Sequence, residues 1–77
     1  MEDMVMRQYT VAYKMHKHGE VKRIVSIANK KFDAYLQASF WDIPEKEGGH
    51  PYSAWVEAVT YNNGNYQVFN TFEGQPV

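Results

Sequence analysis

The chain has 77 residues, a net charge of −1, 44% hydrophobic and 22% charged residues, and no cysteine. A chain this short buries only about 60% of the surface that its unfolded form exposes, so it holds one domain with a thin core and no large enclosed active-site cavity. The lack of cysteine excludes a disulfide framework, a thiolate zinc site and a cysteine nucleophile.

The sequence also predicts where the protein resides. Its apolar runs are far shorter than the roughly 20 residues that a membrane-spanning helix needs. The N-terminal residues carry acids before any basic residue and lack a following apolar segment, so they do not match a signal peptide. We therefore expect a cytoplasmic protein without a membrane partner.

The N-terminal third predicts a β-hairpin. From Gln8 onward polar and apolar residues alternate, which is typical of a half-buried strand. Its larger apolar face consists of Tyr9, Val11, Tyr13 and Met15. Residues 17–20 are expected to form a turn and residues 21–28 a second strand. In that second strand we expect Val25 and Ile27 to point inward, and residues 1–6 to form a loose end.

The middle of the chain predicts a helix. Asn29 is a suitable N-cap, because its side chain can accept a hydrogen bond from a first-turn amide. Large residues then recur at the three- and four-residue spacing of a helix that lies on a sheet. They are Phe32, Tyr35, Leu36, Ser39, Phe40 and Ile43. Residues 30–42 also alternate with period two, so a strand is the open alternative, although Ala, Leu and Gln favour the helix. Pro44 is expected to end the helix, and residues 43–52 to form an exposed loop.

The C-terminal residues 53–72 predict a second hairpin. Asn63 and Gly64 suit a two-residue type I′ turn, which requires positive φ at both positions. That turn pairs Tyr61 with Tyr66, Val59 with Val68, Glu57 with Asn70, and Trp55 with Phe72. We expect the face with Trp55, Val59, Val68 and Phe72 to be buried. Glu57 is expected either to lie at the edge of the sheet or to pair with Arg23 or a lysine. Residues 73–77 are expected to be loose.

Together these elements predict a single α+β domain over residues 1–77. The order is β-β-α-β-β, with a four-stranded antiparallel sheet and one helix packed on one face. Such a sheet leaves two edges, and each can accept a strand from a partner or from a second copy.

The leading functional hypothesis is a non-enzymatic protein-protein interaction module. It acts through the sheet edges and through an aromatic and acidic surface at the helix end. The candidate residues of that surface are Trp41, Asp42, Glu45, Glu47 and Tyr52. Exposed Trp and Tyr are typical of binding surfaces, and the acids favour a basic partner. A homodimer and a different protein partner both remain open.

The alternative hypothesis is a single-stranded nucleic-acid-binding protein. Residues 1–31 carry a net charge of +4 and residues 32–77 a net charge of −5. The basic residues on or beside the first hairpin are Lys14, Lys17, Lys22, Arg23, Lys30 and Lys31. They can contact phosphates while Tyr9 and Tyr13 stack on bases. The pI of about 6.3 argues against it, since dedicated nucleic-acid modules are usually basic.

Catalytic, metal and cofactor sites have weak support. His16, His18 and Glu20 are the only cluster of metal-ligand types, and Gly19 places them in a solvated turn. His50 and Ser53 lack the spacing and the third group of a nucleophile-base pair. No phosphate-loop, dinucleotide or calcium-loop motif occurs. We therefore expect no catalytic site, no metal and no cofactor.

Overall fold

The structure is a computed structural model that describes residues 5–77. Strands β1 (Arg7–Lys14) and β2 (Lys22–Ala28) form the first hairpin, and β3 (Ser53–Thr60) and β4 (Tyr66–Val68) form the second. The helical segment between them has three parts: α1 (Lys31–Gln37), a π-helical turn (Ala38–Asp42) and α2 (Ile43–Glu47). The strands are antiparallel in the order β2-β1-β3-β4. The predicted β-β-α-β-β fold is thus confirmed.

The hydrophobic core lies between the helical segment and one face of the sheet. β1 is central and contributes Tyr9, Val11 and Tyr13, the face that the alternation predicted. β3 contributes Val56 and Val59. These two residues are three positions apart, so a regular strand would place them on opposite faces. A β-bulge places both valines on the core face. Thr10 pairs with Ala58 and Val11 with Val56, so Glu57 has no partner on β1.

The predicted helix over residues 30–42 is confirmed, but its boundaries differ from the prediction. It begins after Lys30, which has extended backbone angles and no capping side-chain bond, so Asn29 is not the N-cap. It continues through Pro44, which lies in the first turn of α2 where its missing N–H is tolerated. The π-helical turn ends at Asp42, two residues before this proline, and Gly48 ends α2 with φ of 84°. Residues 43–47 are therefore helical and not part of a loop.

The face of the helix that contacts the sheet also differs from the prediction. Ala34, Ala38 and Ile43 are fully buried, whereas Phe32 is 64% exposed and Phe40 56% exposed. Small residues face the sheet because the helix approaches it closely. The buried hydroxyl of Ser26 on β2 donates a 3.0 Å hydrogen bond to the Ala34 carbonyl oxygen, which leaves no room for a phenyl ring.

The orientation predicted for β2 is wrong. Val25 and Ile27 are 56% and 50% exposed, on the face of the sheet that the helix leaves uncovered. The reason is the register with β1, in which Val25 lies opposite Thr10 while Ser26 lies opposite the core residue Tyr9. We call this uncovered side of the sheet the open face.

The C-terminal hairpin is confirmed, with a register shifted by one residue. Thr60 pairs with Tyr66, and the Gly64 amide donates to the Tyr61 carbonyl at 2.9 Å, which gives a three-residue loop. Gly64 has φ of 89°, and every residue with positive φ in the described range is a glycine. Asn63 therefore does not adopt the type I′ conformation. A one-residue shift reverses the faces of a strand. Val68 and Phe72 are accordingly exposed, and Val59 alone of the four predicted residues is buried.

Residues 73–77, expected to be loose, fold back on the chain that follows β4. The Val77 amide donates a 3.0 Å hydrogen bond to the Phe69 carbonyl oxygen, and Asn70 and Pro76 form an isolated antiparallel β-bridge. Gly74 lies against the indole of Trp55, which is half-buried on the open face.

The loose start expected at residues 1–6 falls mostly on residues 1–4, outside the described range. Within residues 5–77 no helix is long and apolar enough to cross a membrane.

Candidate functional site

The end of the helical segment presents large aromatic side chains to solvent. Trp41 is 73% exposed, and Phe40 and Tyr52 are each more than half exposed. The π-helical turn explains this exposure, because it buries Ala38 and Ser39 and directs the next two residues outward. The Phe40 ring meets the His50 ring edge-on, with 6.1 Å between the ring centroids. The loop after α2 is thereby positioned beside the helix.

A shallow cavity of about 170 Å³ lies between this loop and the helix. Six of its lining residues are Tyr35, Ser39, Phe40, His50, Pro51 and Tyr52. The Ser39 hydroxyl is buried and has no hydrogen-bond partner in the described part of the chain. A cavity of this size and lining suits one apolar side chain of a partner. The sequence analysis did not predict that Ser39, Phe40 and His50 line one cavity, because the π turn and the folded loop after α2 bring them together.

Two of the three predicted acids accompany the aromatic side chains. Asp42 directly follows Trp41, and Glu45 lies one helical turn after Trp41. Neither carboxylate forms an ion pair with another residue of the described range. We define the aromatic-acidic surface as Phe40, Trp41, Asp42, Glu45 and Tyr52.

Glu47, the third predicted acid, points elsewhere. Its carboxylate accepts a 2.6 Å hydrogen bond from the Tyr13 hydroxyl and lies 3.3 Å from the Lys22 ammonium. Only 15% of its side chain is exposed. The hydrogen bond from Tyr13, reinforced by Lys22, lowers the pKa of Glu47 below its usual value. Burial and the neighbouring carboxylate raise the pKa of Tyr13 to about 12. Glu47 therefore fastens the end of α2 to the sheet and is largely unavailable to a partner.

Glu57 is paired with Arg23, as expected. The guanidinium donates two hydrogen bonds to the carboxylate, at 2.7 Å from Nε and 2.9 Å from Nη2. The paired carboxylate raises the pKa of Arg23 above its usual value. Because Glu57 is the bulged residue of β3, its side chain lies on the open face instead of in the core. The pair neutralises both charges there.

The predicted basic residues do not form one patch. Lys22 and Arg23 are consecutive on β2 and therefore point to opposite faces of the sheet, each towards its own glutamate. The Lys31 ammonium lies over the Phe69 ring, 4.5 Å from its centroid. Tyr9 and Tyr13 are buried and so are unavailable for stacking on bases. Lys17 and Lys30 are exposed, and Lys14 is half-buried.

The histidines and hydroxyls show no catalytic arrangement. His16 and His18 lie exposed in the turn after β1. Within residues 5–77, no group of three or more His, Asp or Glu side chains is placed to hold a metal ion. His50 contacts the Phe40 ring, and no hydrogen bond joins it to Ser53 in the described structure.

No family model, curated protein or solved structure matches the chain.

Proposed function

We propose that this chain is a non-enzymatic protein-binding domain, and that its aromatic-acidic surface recognises a basic segment of another protein. The exposure of Trp41 carries this proposal. An indole that is mostly in water contributes little to folding, whereas Trp and Tyr are among the residues that contribute most to binding when a partner covers them.

The charges on the surface indicate the chemistry of the partner. Asp42 and Glu45 form no ion pair within the described range, so a Lys or Arg of a partner can pair with either carboxylate. Opposite charges at the rim of an interface mainly accelerate association and select the partner. A basic segment is thus favoured over an acidic one.

The cavity beside Phe40 gives the surface a point of attachment. Its volume of about 170 Å³ accommodates a single apolar side chain, which Tyr35 and Tyr52 would enclose. A large side chain inserted into a pocket, with charged contacts around it, is the usual arrangement of a small interface. The partner segment is therefore expected to combine an apolar residue with neighbouring Lys or Arg.

Selection from a library of phage-displayed peptides tests the proposal even while the natural partner is unidentified. Peptides are selected on the wild-type domain and then screened against Trp41→Ala and Phe32→Ala variants. Phe32 is the matched control, because it is similarly exposed on the same helical segment but lies outside the surface. We expect enriched peptides to contain Lys or Arg beside an apolar residue, and to bind the Phe32→Ala variant but not Trp41→Ala.

Two results would contradict the proposal. One is enrichment of peptides that bind Trp41→Ala as well as wild type. The other is salt-sensitive binding of a single-stranded oligonucleotide that survives Trp41→Ala, since counterion release makes nucleic-acid binding fall steeply with salt. That second result would favour the basic residues of the first hairpin.

A further inference from the structure

The two edges of the sheet differ in how they are protected. β4 is only three residues long, and the chain after it turns back, so that the Thr71 amide bonds to the Gln75 carbonyl oxygen at 2.7 Å. Short edge strands followed by folded chain are a common protection against pairing with other molecules. This edge is therefore a poor place to add a strand.

The β2 edge lacks that protection. It is seven residues long and pairs along its whole length with β1. Beyond this ladder, the one further bond to its backbone from the described residues comes from the Gln37 side chain, 3.2 Å from the Ile27 carbonyl oxygen. The remaining outward amides and carbonyls of β2 have no partner among the described residues, and they can pair with a further strand.

The side chains of β2 also favour pairing. Natural edge strands are usually guarded by charges, proline or a bulge. Here residues 24–28 contain no charged residue, proline or glycine, and Val25 and Ile27 are about half exposed. The two cations of the strand, Lys22 and Arg23, are both bound to glutamates of the same chain. Neither is therefore free to repel an approaching strand.

We infer that β2 pairs with β2 of a second copy of this chain, antiparallel and about a two-fold axis at Val25. This register places Val25 opposite the same residue of the second copy and Ile24 opposite Ser26. Arg23 then faces Ile27, and Lys22 faces Ala28. The cationic ends lie at opposite ends of the interface, so like charges never meet.

The open-face side chains of β2 are complementary to those of a second copy of β2. On the open face, Val25 lies beside Val25 of the second copy, and each Ile27 lies beside the aliphatic stem of the other copy's Arg23. The apolar row therefore continues across the axis. The product is a continuous eight-stranded sheet with both helical segments on one side. Edge pairing buries a modest area, so the dimer is expected to depend on concentration. It uses a different surface from the aromatic-acidic one and does not depend on the proposed function.

Charge substitution at the two-fold axis tests both the dimer and its register. Light scattering after size-exclusion chromatography, over a concentration series, should show a wild-type mass rising from one chain towards two. The variants Val25→Lys and Val25→Glu should each stay monomeric, because like charges would meet at the axis. An equal mixture of the two should recover the dimer. Val68→Lys is the matched control, an exposed valine of the open face on the opposite edge strand, and should dimerise as wild type does.

Each remaining outcome overturns the inference. A wild-type chain that is monomeric at all concentrations excludes the dimer. A dimer that persists in Val25→Lys lies on another surface. Loss of the dimer in both variants without recovery in the mixture excludes the two-fold axis at Val25. Circular dichroism and urea unfolding of each variant verify that the fold is retained, and a Trp41→Ala chain should dimerise normally.

Discussion

The Tyr13 hydroxyl donates a 2.6 Å hydrogen bond to the Glu47 carboxylate, across 34 residues of sequence. Tyr13 belongs to the central strand and Glu47 to the last turn of the helical segment. Since Glu47 also lies 3.3 Å from Lys22 on β2, one carboxylate joins the helix end to two strands. This contact holds the end of the helical segment on the sheet and thereby positions the aromatic-acidic surface.

The first prediction concerns alkaline stability. The pKa of Tyr13 is raised from 10.0 to about 12 in the folded chain, so the folded state holds its proton more tightly than the unfolded state does. The contribution of the protonated Tyr13 to the free energy of unfolding is complete below pH 10 and is lost as the pH rises from 10 to 12. Urea unfolding of wild type should therefore show a free energy of unfolding that falls over this interval.

The Tyr13→Phe variant identifies the source of that fall. It should lose about 1.5–3 kcal/mol at neutral pH, as expected for a hydrogen bond to a charged group, and show a shallower decline above pH 10. Tyr52→Phe, at an exposed tyrosine, is the control and should follow wild type. An equally steep alkaline decline in Tyr13→Phe would show that Tyr13 is not responsible.

The second prediction concerns acid stability. The folded-state pKa of Glu47 lies below its ordinary value of 4.5, so its contribution is fully present above pH 4.5 and is lost as the pH falls through the folded-state pKa. Glu47→Gln should be less stable than wild type at neutral pH, and its stability should depend less on pH in acid. Glu45→Gln, at an exposed carboxylate, should keep the wild-type profile. Parallel acid profiles of wild type and Glu47→Gln would contradict the assignment.

The sequence was sufficient to predict the order of elements, because the hairpin strands alternate, and residues 30–42 combine a helical spacing with the helix-favouring residues Ala, Leu and Gln. Alternation in β1 correctly identified Tyr9, Val11 and Tyr13 as core residues. The Asn63-Gly64 pair correctly located the second hairpin. These signals are local, because side chains two positions apart along a strand, or three and four positions apart along a helix, lie on the same face.

What the sequence failed to predict depends on departures from regular geometry. The bulge at Glu57 exchanges the two faces of β3 partway along the strand, and a three-residue loop in place of two reverses the faces of β4. The π-helical turn alters which helix residues face the sheet, so Phe40 and Trp41 point outward together. Trp41 and Tyr52 were identified as exposed from their residue types, whereas the cavity beside Phe40 required the folded loop.

The third prediction separates the two tryptophans. Trp41 is mostly exposed, so Trp41→Ala should change the free energy of unfolding by less than about 0.5 kcal/mol, as is usual at the surface. Trp55 is half-buried beneath Gly74, so Trp55→Ala should cost about 2 kcal/mol, less than the 3–5 kcal/mol typical of a fully buried tryptophan. Urea unfolding followed by circular dichroism gives both values. Equal losses would contradict the exposures described for the two side chains.

The fourth prediction concerns the ion pair of the open face. Glu57 is largely buried whereas Arg23 is substantially exposed, so the two partners should not be equivalent. Arg23→Met leaves a buried carboxylate without its cation and should destabilise the fold by about 3 kcal/mol. Glu57→Gln leaves an arginine whose guanidinium can be solvated, so this variant should lose less free energy of unfolding. A double variant more stable than Arg23→Met alone would support this asymmetry, and a double variant with the sum of both losses would contradict it.

The fifth prediction tests whether the folded C-terminal residues are held against Trp55. Gly74 has φ of 82°, and a Cβ atom placed there would lie 3.4 Å from the Trp55 ring. Gly64 has φ of 89° with nothing within 4 Å of such an atom. Both Gly→Ala variants should lose about 1 kcal/mol from the left-handed backbone. Gly74→Ala should in addition shift the Trp55 fluorescence when measured in a Trp41→Phe background. Unchanged emission in that background would show that Gly74 does not contact Trp55 in solution.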